Sequence, residues 1–327
     1  MSATFVGPLA TQLDEFAALM RSTGGQHTVL LRILCCFDRF LARSYPETTA
    51  VTKDVLGTWF GSFRNLRATS QNRYRTATFQ FCNYLRRRDP ATASREDFEP
   101  VRQSDTFHPY IYSVEEIARL LNAARALRPL TSDRLRPWSM ELIVTLLYTA
   151  GLRIGEVVRL LVRDYDPTTA VLAIRETKFA KSRLVPLSES ARRIVDAYLL
   201  QRRELGLSCE PEDPLRCCPS NHPPHVGSVQ IILTRLMRDC GVKPLHGPGP
   251  RIHDIRHTFA VHRILAWYRE GQDVQRLLPH LVTFMGHRGL ESTQRYLSLI
   301  PAVLDEASMR FEKFAAVAVP AIDRVTP

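Results

Sequence analysis

The chain of 327 residues is 45% hydrophobic and 24% charged, with a formal net charge of +11 and a pI near 9.6. The length predicts about two domains, nothing in the composition argues for disorder, and no apolar run reaches the roughly 18 residues of a membrane span. The positive excess favours a polyanionic partner over a basic but inert surface.

Only Lys53, Lys178, Lys181, Lys243 and Lys313 among the 44 basic residues are lysines. The rest are arginines, whose planar fork can donate two parallel hydrogen bonds to a phosphate. The seven cysteines are Cys35, Cys36, Cys82, Cys209, Cys217, Cys218 and Cys240. An odd number at irregular spacing, with no signal peptide, does not read as a secreted disulfide framework. A soluble protein of the reducing cytoplasm is expected.

Residues 1–89 read as helices only. Leu9, Leu13, Phe16, Ala17 and Met20 recur at helical spacing, and Val29 to Leu41 carry a second, strongly apolar helix. Val55, Trp59, Phe60 and Phe63 mark a third helix; Tyr74, Phe79, Phe81, Cys82, Tyr84 and Leu85 mark a fourth. Arg64, Arg67, Arg73, Arg75, Arg86, Arg87 and Arg88 cluster in the second half of this region, with almost no acids until Asp89. Such a cluster is either a solvated helix face or a surface for a polyanion, and the one-signed excess favours the second. Pro90, Pro100 and Pro109, without helical period, predict a linker over 90–108.

Beyond the linker, Ser113 and Glu116 form a capping box opening a helix through Leu127. Pro137 starts an apolar helix, Trp138 to Ala150, that stops at Gly151. Two short strands, Ala170 to Ile174 and Arg183 to Leu187, flank a polar turn with Lys178 and Lys181. Helices follow at Ser190–Glu204, Val226–Cys240, Ile252–Arg269 and Asp273–Met285, and 206–225 reads as a Pro- and Cys-rich loop. The adjacent pair Cys217-Cys218 with His222 and His225 does not have the regular spacing of a zinc site. No metal and no cofactor is expected.

Three clusters carry candidate chemistry. Arg153 lies in Gly151-Leu-Arg-Ile-Gly155-Glu156, where both glycines permit close backbone approach and Glu156 can hold the guanidinium in one orientation. His253 and Arg256 are three apart at a helix start and share one face. Phe284-Met-Gly-His287 is followed nine residues on by Tyr296. Each cluster has an ordinary alternative: a helix-capping arginine, a solvated helix start, a packing tyrosine. His257 and His262 read as structural.

Together these residues resemble the tyrosine recombinase (phage integrase) family, which includes Xer-like recombinases and the integrases of mobile elements. Gly151 to Glu156 is similar to the family's first arginine box, His253 to Ala260 to its second, and Met285-Gly-His287 with Tyr296 to its C-terminal box. The resemblance is strong from about 110 to 298. Ahead of that it rests on architecture alone. It implies a mainly α protein with a small β-sheet (α+β): a helical core-binding, SAM-like DNA-binding domain over 1–89 and a tyrosine-recombinase catalytic domain over 109–300. A helical tail, 301–327, would dock onto a neighbouring protomer or onto its own domain.

The resemblance also implies roles. Tyr296 would be the nucleophile, His253 the base, Arg153 and Arg256 the clamp on the phosphate, and His287 a further donor, with Glu156 in support. Lys178 would be the general acid and Lys181, or the reverse, a phosphate contact. The product would be a 3′-phosphotyrosine and a 5′-hydroxyl, made without metal or ATP. The partners implied are double-stranded DNA carrying a specific recombination site, contacted by the seven N-terminal arginines, and a homo- or hetero-tetramer of recombinase subunits at synapsis. A C-shaped clamp on DNA, in the cytoplasm and at the nucleoid, is the expected arrangement. The segment Trp267 to Phe284 is longer than in the short Xer form, which favours a recombinase of a mobile element. The rivals are a type IB topoisomerase and a non-enzymatic DNA-binding accessory protein.

Overall fold

The computed structural model describes residues 4–23, 27–102, 109–175, 182–216, 225–247 and 249–286. Lys178, Lys181, Cys217, Cys218, His222, His287, Tyr296 and the tail 301–327 lie outside the described residues. The chain forms two compact units, Met1–Phe107 and His108–Pro327. The first is helical and the second mainly helical with a small sheet.

The first unit contains α1 (Ala10–Ser22), α2 (Thr28–Ser44), α3 (Lys53–Gly61) and α4 (Ala68–Leu85). Their apolar faces meet in one core that includes Leu13, Phe16, Leu34, Phe37, Leu56 and Phe81. Trp59 is its hub: its ring lies 5.4 Å from Phe37, 5.1 Å from Phe40 and 5.2 Å from Phe63. Its indole N–H donates to Thr78 Oγ1 at 3.0 Å, so the polar edge is satisfied inside the core. The buried Asp38 carboxylate accepts the backbone N–H groups of Val6 and Gly7 at 2.8 and 2.9 Å, anchoring the chain ahead of α1.

The first part of the stretch expected as a linker carries structure of its own. Ala93 is buried and its N–H donates to Val51 O at 2.9 Å. A 3-10 turn follows at Arg95–Asp97, and Phe98 meets Phe60 with ring centroids 5.0 Å apart. Phe98 holds this segment to the helices, and a capping box of Ser94 with Asp97 closes its own turn, without any helical period.

The second unit contains α5 (Val114–Arg125), α6 (Arg136–Thr149), α7 (Ile154–Arg159), β1 (Tyr165–Asp166), β2 (Val171–Ile174) and β3 (Arg183–Pro186). It continues with α8 (Glu189–Glu204), α9 (Val226–Asp239), α10 (Ile252–Arg269) and α11 (Val274–Met285). Helix α6 packs against α5, α8 and α10 and buries Met140, Leu142, Ile143, Val144, Leu146 and Leu147. Residues apolar all round a helix make it central rather than amphipathic. The strands form an antiparallel sheet in the order β1-β2-β3, with Leu172 opposite Val185 and Ile174 opposite Arg183. Strand β1 and helix α7 are additions to the elements expected from periodicity; two and six residues are too short to show a period.

The segment entering this unit is tied to α10: Tyr112 N donates to Thr258 Oγ1 at 3.0 Å and Tyr112 Oη to Arg251 O at 2.9 Å. The long stretch from Trp267 onward is a helical hairpin. It turns at Gly271, with φ of 71°, and packs Val274, Leu278 and Leu281 against Val261, Ile264 and Leu265. No helix among the described residues is long and apolar enough to cross a membrane.

Candidate active site

Helix α6 ends because Gly151 adopts φ of 57°, in the left-handed region that a glycine reaches without strain. A Cβ there would lie 2.4 Å from Phe259 Cδ1, so α10 and this turn approach as closely as glycine permits. Gly155 differs from the sequence expectation. It sits within α7, where a Cβ would meet only the Arg159 side chain, at 3.3 Å, so no close backbone approach depends on it. Arg153 is the N-cap of α7, and its backbone N–H donates to Glu156 Oε2 at 3.0 Å, a carboxylate satisfying one of the orphan donors of a helix start.

Three arginines from three separate elements gather on Glu156. Arg153 Nη1 donates to Oε1 at 2.8 Å, and Arg183 at the head of β3 donates to both oxygens, at 3.2 and 2.8 Å. Arg256 on α10 stands 3.9 Å from Oε2. The same guanidiniums cover the last carbonyls around the end of α11. Arg183 Nε donates to Phe284 O at 2.8 Å, Arg256 Nη2 to Met285 O, and Arg153 Nη2 to Gly286 O at 3.2 Å. Arg256 Nη1 reaches across to Gly151 O. A helix C-terminus carries partial negative charge and unpaired carbonyls, and cations there are favourable on both counts.

Exposure grades across the cluster. Glu156 is 4% exposed and Arg256 2%, and the side chain of Arg183 is 9% exposed, whereas that of Arg153 is 31% exposed. Three cations against one carboxylate leave a positive excess, with Arg153 its solvent-facing member. Burial alone would raise the Glu156 carboxyl. Hydrogen bonds from Arg183 and the Arg153 backbone, with the charges behind them, outweigh it and hold the pKa at about 2.

Glu156→Gln keeps the shape and removes the countercharge of two enclosed guanidiniums, at an expected cost of about 3–5 kcal/mol. Because the folded carboxyl titrates at about 2, below its ordinary 4.5, its contribution is full above 4.5 and is lost as pH falls toward 2. Unfolding midpoints of the two proteins should therefore differ most near neutrality and converge on acidification. A gap that does not change with pH would mean that charge at Glu156 is not what holds the cluster.

His253, second residue of α10, joins this cluster at the surface. Partial burial of its ring, then the charges of Arg256, Arg251 and Arg153, lower its pKa below the ordinary imidazole value. Its ring meets that of His257 edge-on at 4.8 Å. Burial, followed by the neighbouring His253, lowers His257 to about 4. His262 pairs with Tyr148 Oη through Nδ1 at 3.0 Å, a contact that ties α10 to α6. The structure thus brings together Arg153, Glu156, His253 and Arg256, which the sequence scatters over more than a hundred positions.

Arg183 was not among the residues expected at the site. Strand alternation carried the signal: Arg183 shares a face with Val185, which is buried, while Leu184 between them is exposed. A charged residue on the inward face of a strand demands a buried partner.

In the helical unit, Arg64, Arg67, Arg73, Arg86 and Arg87 are exposed. Arg75 is half-buried, with its guanidinium 4.8 Å from the centre of the Phe60 ring and 5.9 Å from that of Phe98. Arg88 is exposed but paired with Glu15 at 2.6 Å, and Tyr84 Oη donates to the same carboxylate. Those two arginines thus also make contacts within this unit. His225 caps α9, its Nδ1 accepting from Gly227 N at 3.1 Å. Among the described residues, no group of three or more His, Cys, Asp or Glu is placed to hold a metal ion.

The profile of the Phage integrase family matches residues 112–301, more than half of the chain and all of the part that builds the cluster. The chain is 37% identical over 239 residues to y4rB, a candidate integrase/recombinase of Sinorhizobium fredii (strain NBRC 101917 / NGR234), covering 71% of this chain and 75% of that one. It is 31% identical over 188 residues to the tyrosine recombinase XerA of Thermococcus kodakarensis, covering 58% of this chain and 57% of that one. The fold is shared with the Tn1549 transposon integrase solved with transposon right-end DNA: TM-score 0.66 at 18% identity, over 93% of this chain and 99% of that one. The chain belongs to the phage integrase family of tyrosine recombinases.

Proposed function

We propose that this protein is a site-specific recombinase that cuts and rejoins duplex DNA through a 3′-phosphotyrosine at Tyr296, in the integration or transposition of a mobile element. The observation that carries the reading is the gathering of Arg153, Arg183 and Arg256 on the single carboxylate of Glu156, beside a histidine whose neutral form is favoured. A positive excess built from fixed guanidiniums is suited to a phosphodiester, and preorganised charge of this kind stabilises a transition state without reorganising. The likeness to y4rB, a candidate integrase/recombinase, supports integration, and the length of the segment from Trp267 to Phe284 is what favours a mobile element.

In the proposed reaction the Tyr296 oxygen forms a bond to phosphorus while the bond from phosphorus to the 5′-oxygen breaks. A phenol has an unperturbed pKa near 10, so its proton must pass to a base as the bond forms, and His253 takes it. Arg153 and Arg256 hold the non-bridging oxygens as charge builds on them, and His287 adds a hydrogen bond. Lys178 gives a proton to the departing 5′-oxygen, and Lys181 contacts a neighbouring phosphate. The ester keeps the bond energy, so attack by another 5′-hydroxyl reseals the strand with no ATP and no metal. Arg64, Arg67, Arg73, Arg86 and Arg87, exposed in the helical unit, supply phosphate contacts that position the DNA, with Arg75 and Arg88 contributing less. Synapsis of two sites would assemble four recombinase subunits.

Covalent capture tests the reading. The protein is incubated with nicked duplexes from a randomised pool, in a chelator and without ATP, and adducts are resolved on denaturing gels. An adduct on a defined sequence is expected. No adduct despite tight binding would favour an accessory protein, and efficient relaxation of supercoiled DNA of any sequence would favour a topoisomerase.

The base assignment has its own pH signature. His253 is lowered from 6.5, so the neutral ring persists below that pH and is lost only as pH falls through the depressed value. The acid limb of the cleavage rate should lie below pH 6.5 and flatten in His253→Gln. An acid limb above 6.5 would remove His253 as the base.

A further inference from the structure

The role of Arg183 goes beyond this reading of the site, and rests on it. We propose that Arg183 is a positioning residue for strand cleavage: it fixes the Glu156 carboxylate and the backbone at the end of α11, and through them the direction of Arg153.

Two parallel N–H groups of Arg183 meet the two oxygens of Glu156 at 3.2 and 2.8 Å, which sets the plane of the carboxylate as well as its place. The oxygen Oε1 that receives Arg183 Nη1 also receives Arg153 Nη1, at 2.8 Å. Turning that carboxylate would turn the Arg153 guanidinium with it. The third contact, Nε to Phe284 O at 2.8 Å, ties the same side chain to the last turn of α11.

Gly286 closes the arrangement. Its φ of 65° directs the chain past the guanidinium, and a Cβ at this position would stand 2.8 Å from Arg183 Nη1. Its carbonyl is the second acceptor of Arg153, at 3.2 Å. Arg153 is therefore gripped at two points, Glu156 and Gly286, and Arg183 lies against both. The residue after Gly286 in the chain is His287.

Strand β3 begins at Arg183, paired with Ile174 at the end of β2. The base of the hairpin that carries Lys178 in the sequence is thus joined through one side chain to the arginine cluster. A side chain that only filled space or neutralised Glu156 would need one hydrogen bond. Arg183 makes three, to two elements, and only an arginine fork at this point has that reach.

The test compares the full-length wild type with Arg183→Lys and Arg183→Met on a nicked duplex chosen by covalent capture with the wild type. Melting, DNA affinity and single-turnover adduct formation are measured for each. The duplex is used in two forms: with an ordinary scissile phosphodiester, and with a methylphosphonate in which a methyl replaces one non-bridging oxygen. In the second form the scissile group is uncharged and depends less on the arginine clamp.

Both variants are expected to bind DNA like wild type and to form adduct on the phosphodiester about 100-fold more slowly, the order expected of a 1 Å misplacement. The deficit should shrink on the methylphosphonate. Lysine should not rescue, because it keeps the charge and loses the fork. A wild-type rate in Arg183→Lys, or an equal deficit on both substrates, would overturn the positioning role and leave the recombinase reading intact. Loss of the folded state in both variants would make Arg183 a fold residue only. Absence of any wild-type adduct would overturn the recombinase reading and this proposal with it.

Discussion

Arg256→Ala is expected to lower the rate of covalent attachment to DNA by about a thousandfold, the upper range for deleting one preorganised donor from a transition-state site. The size of the effect follows from what the side chain holds. It is 2% exposed and reaches carbonyls of two segments, Gly151 after α6 and Met285 at the end of α11. Removing it takes a fixed charge from the proposed clamp and leaves two enclosed carbonyls short of a donor, each costing about 1–3 kcal/mol. Arg256→Lys should recover little, since one ammonium cannot reproduce a planar fork spanning both carbonyls. Single-turnover cleavage measured beside thermal melting separates the two losses. A variant that melts early yet cleaves at the wild-type rate would place Arg256 in the scaffold alone.

Much of the scaffold was legible in residue order. Ser113 and Glu116 announced α5, Pro137 and Gly151 bracketed α6, and the spacing of Phe16, Phe37, Trp59 and Phe81 marked four helices whose core is continuous. These signals are local, set by capping, by fixed φ and by the 3.6-residue period. What stayed hidden depends on distant partners. Helix α7 and strand β1 are too short to show a period, and Phe98 docks a proline-rich stretch that looks like a linker until Phe60 is beside it.

The site divides in the same way. Arg153, Glu156, His253 and Arg256 were found as motifs in the right order, but their convergence on one carboxylate is a tertiary fact. Arg183 was passed over because a charged strand residue is read by its habit of facing water, and its partners stand 27 and 101 positions away. Arg75 and Arg88 have contacts that the charge cluster did not show: one lies against Phe60 and the other pairs with Glu15.

Tyr296→Phe tests the proposed nucleophile with the smallest possible change. Removing one hydroxyl leaves the ring, the arginine cluster and the exposed arginines of the helical unit as they are. Unchanged affinity for the captured duplex and no covalent adduct on denaturing gels are expected, a loss limited only by detection. An adduct that persists in Tyr296→Phe, or a phosphotyrosine mapped by mass spectrometry to another residue, would contradict the account at its foundation.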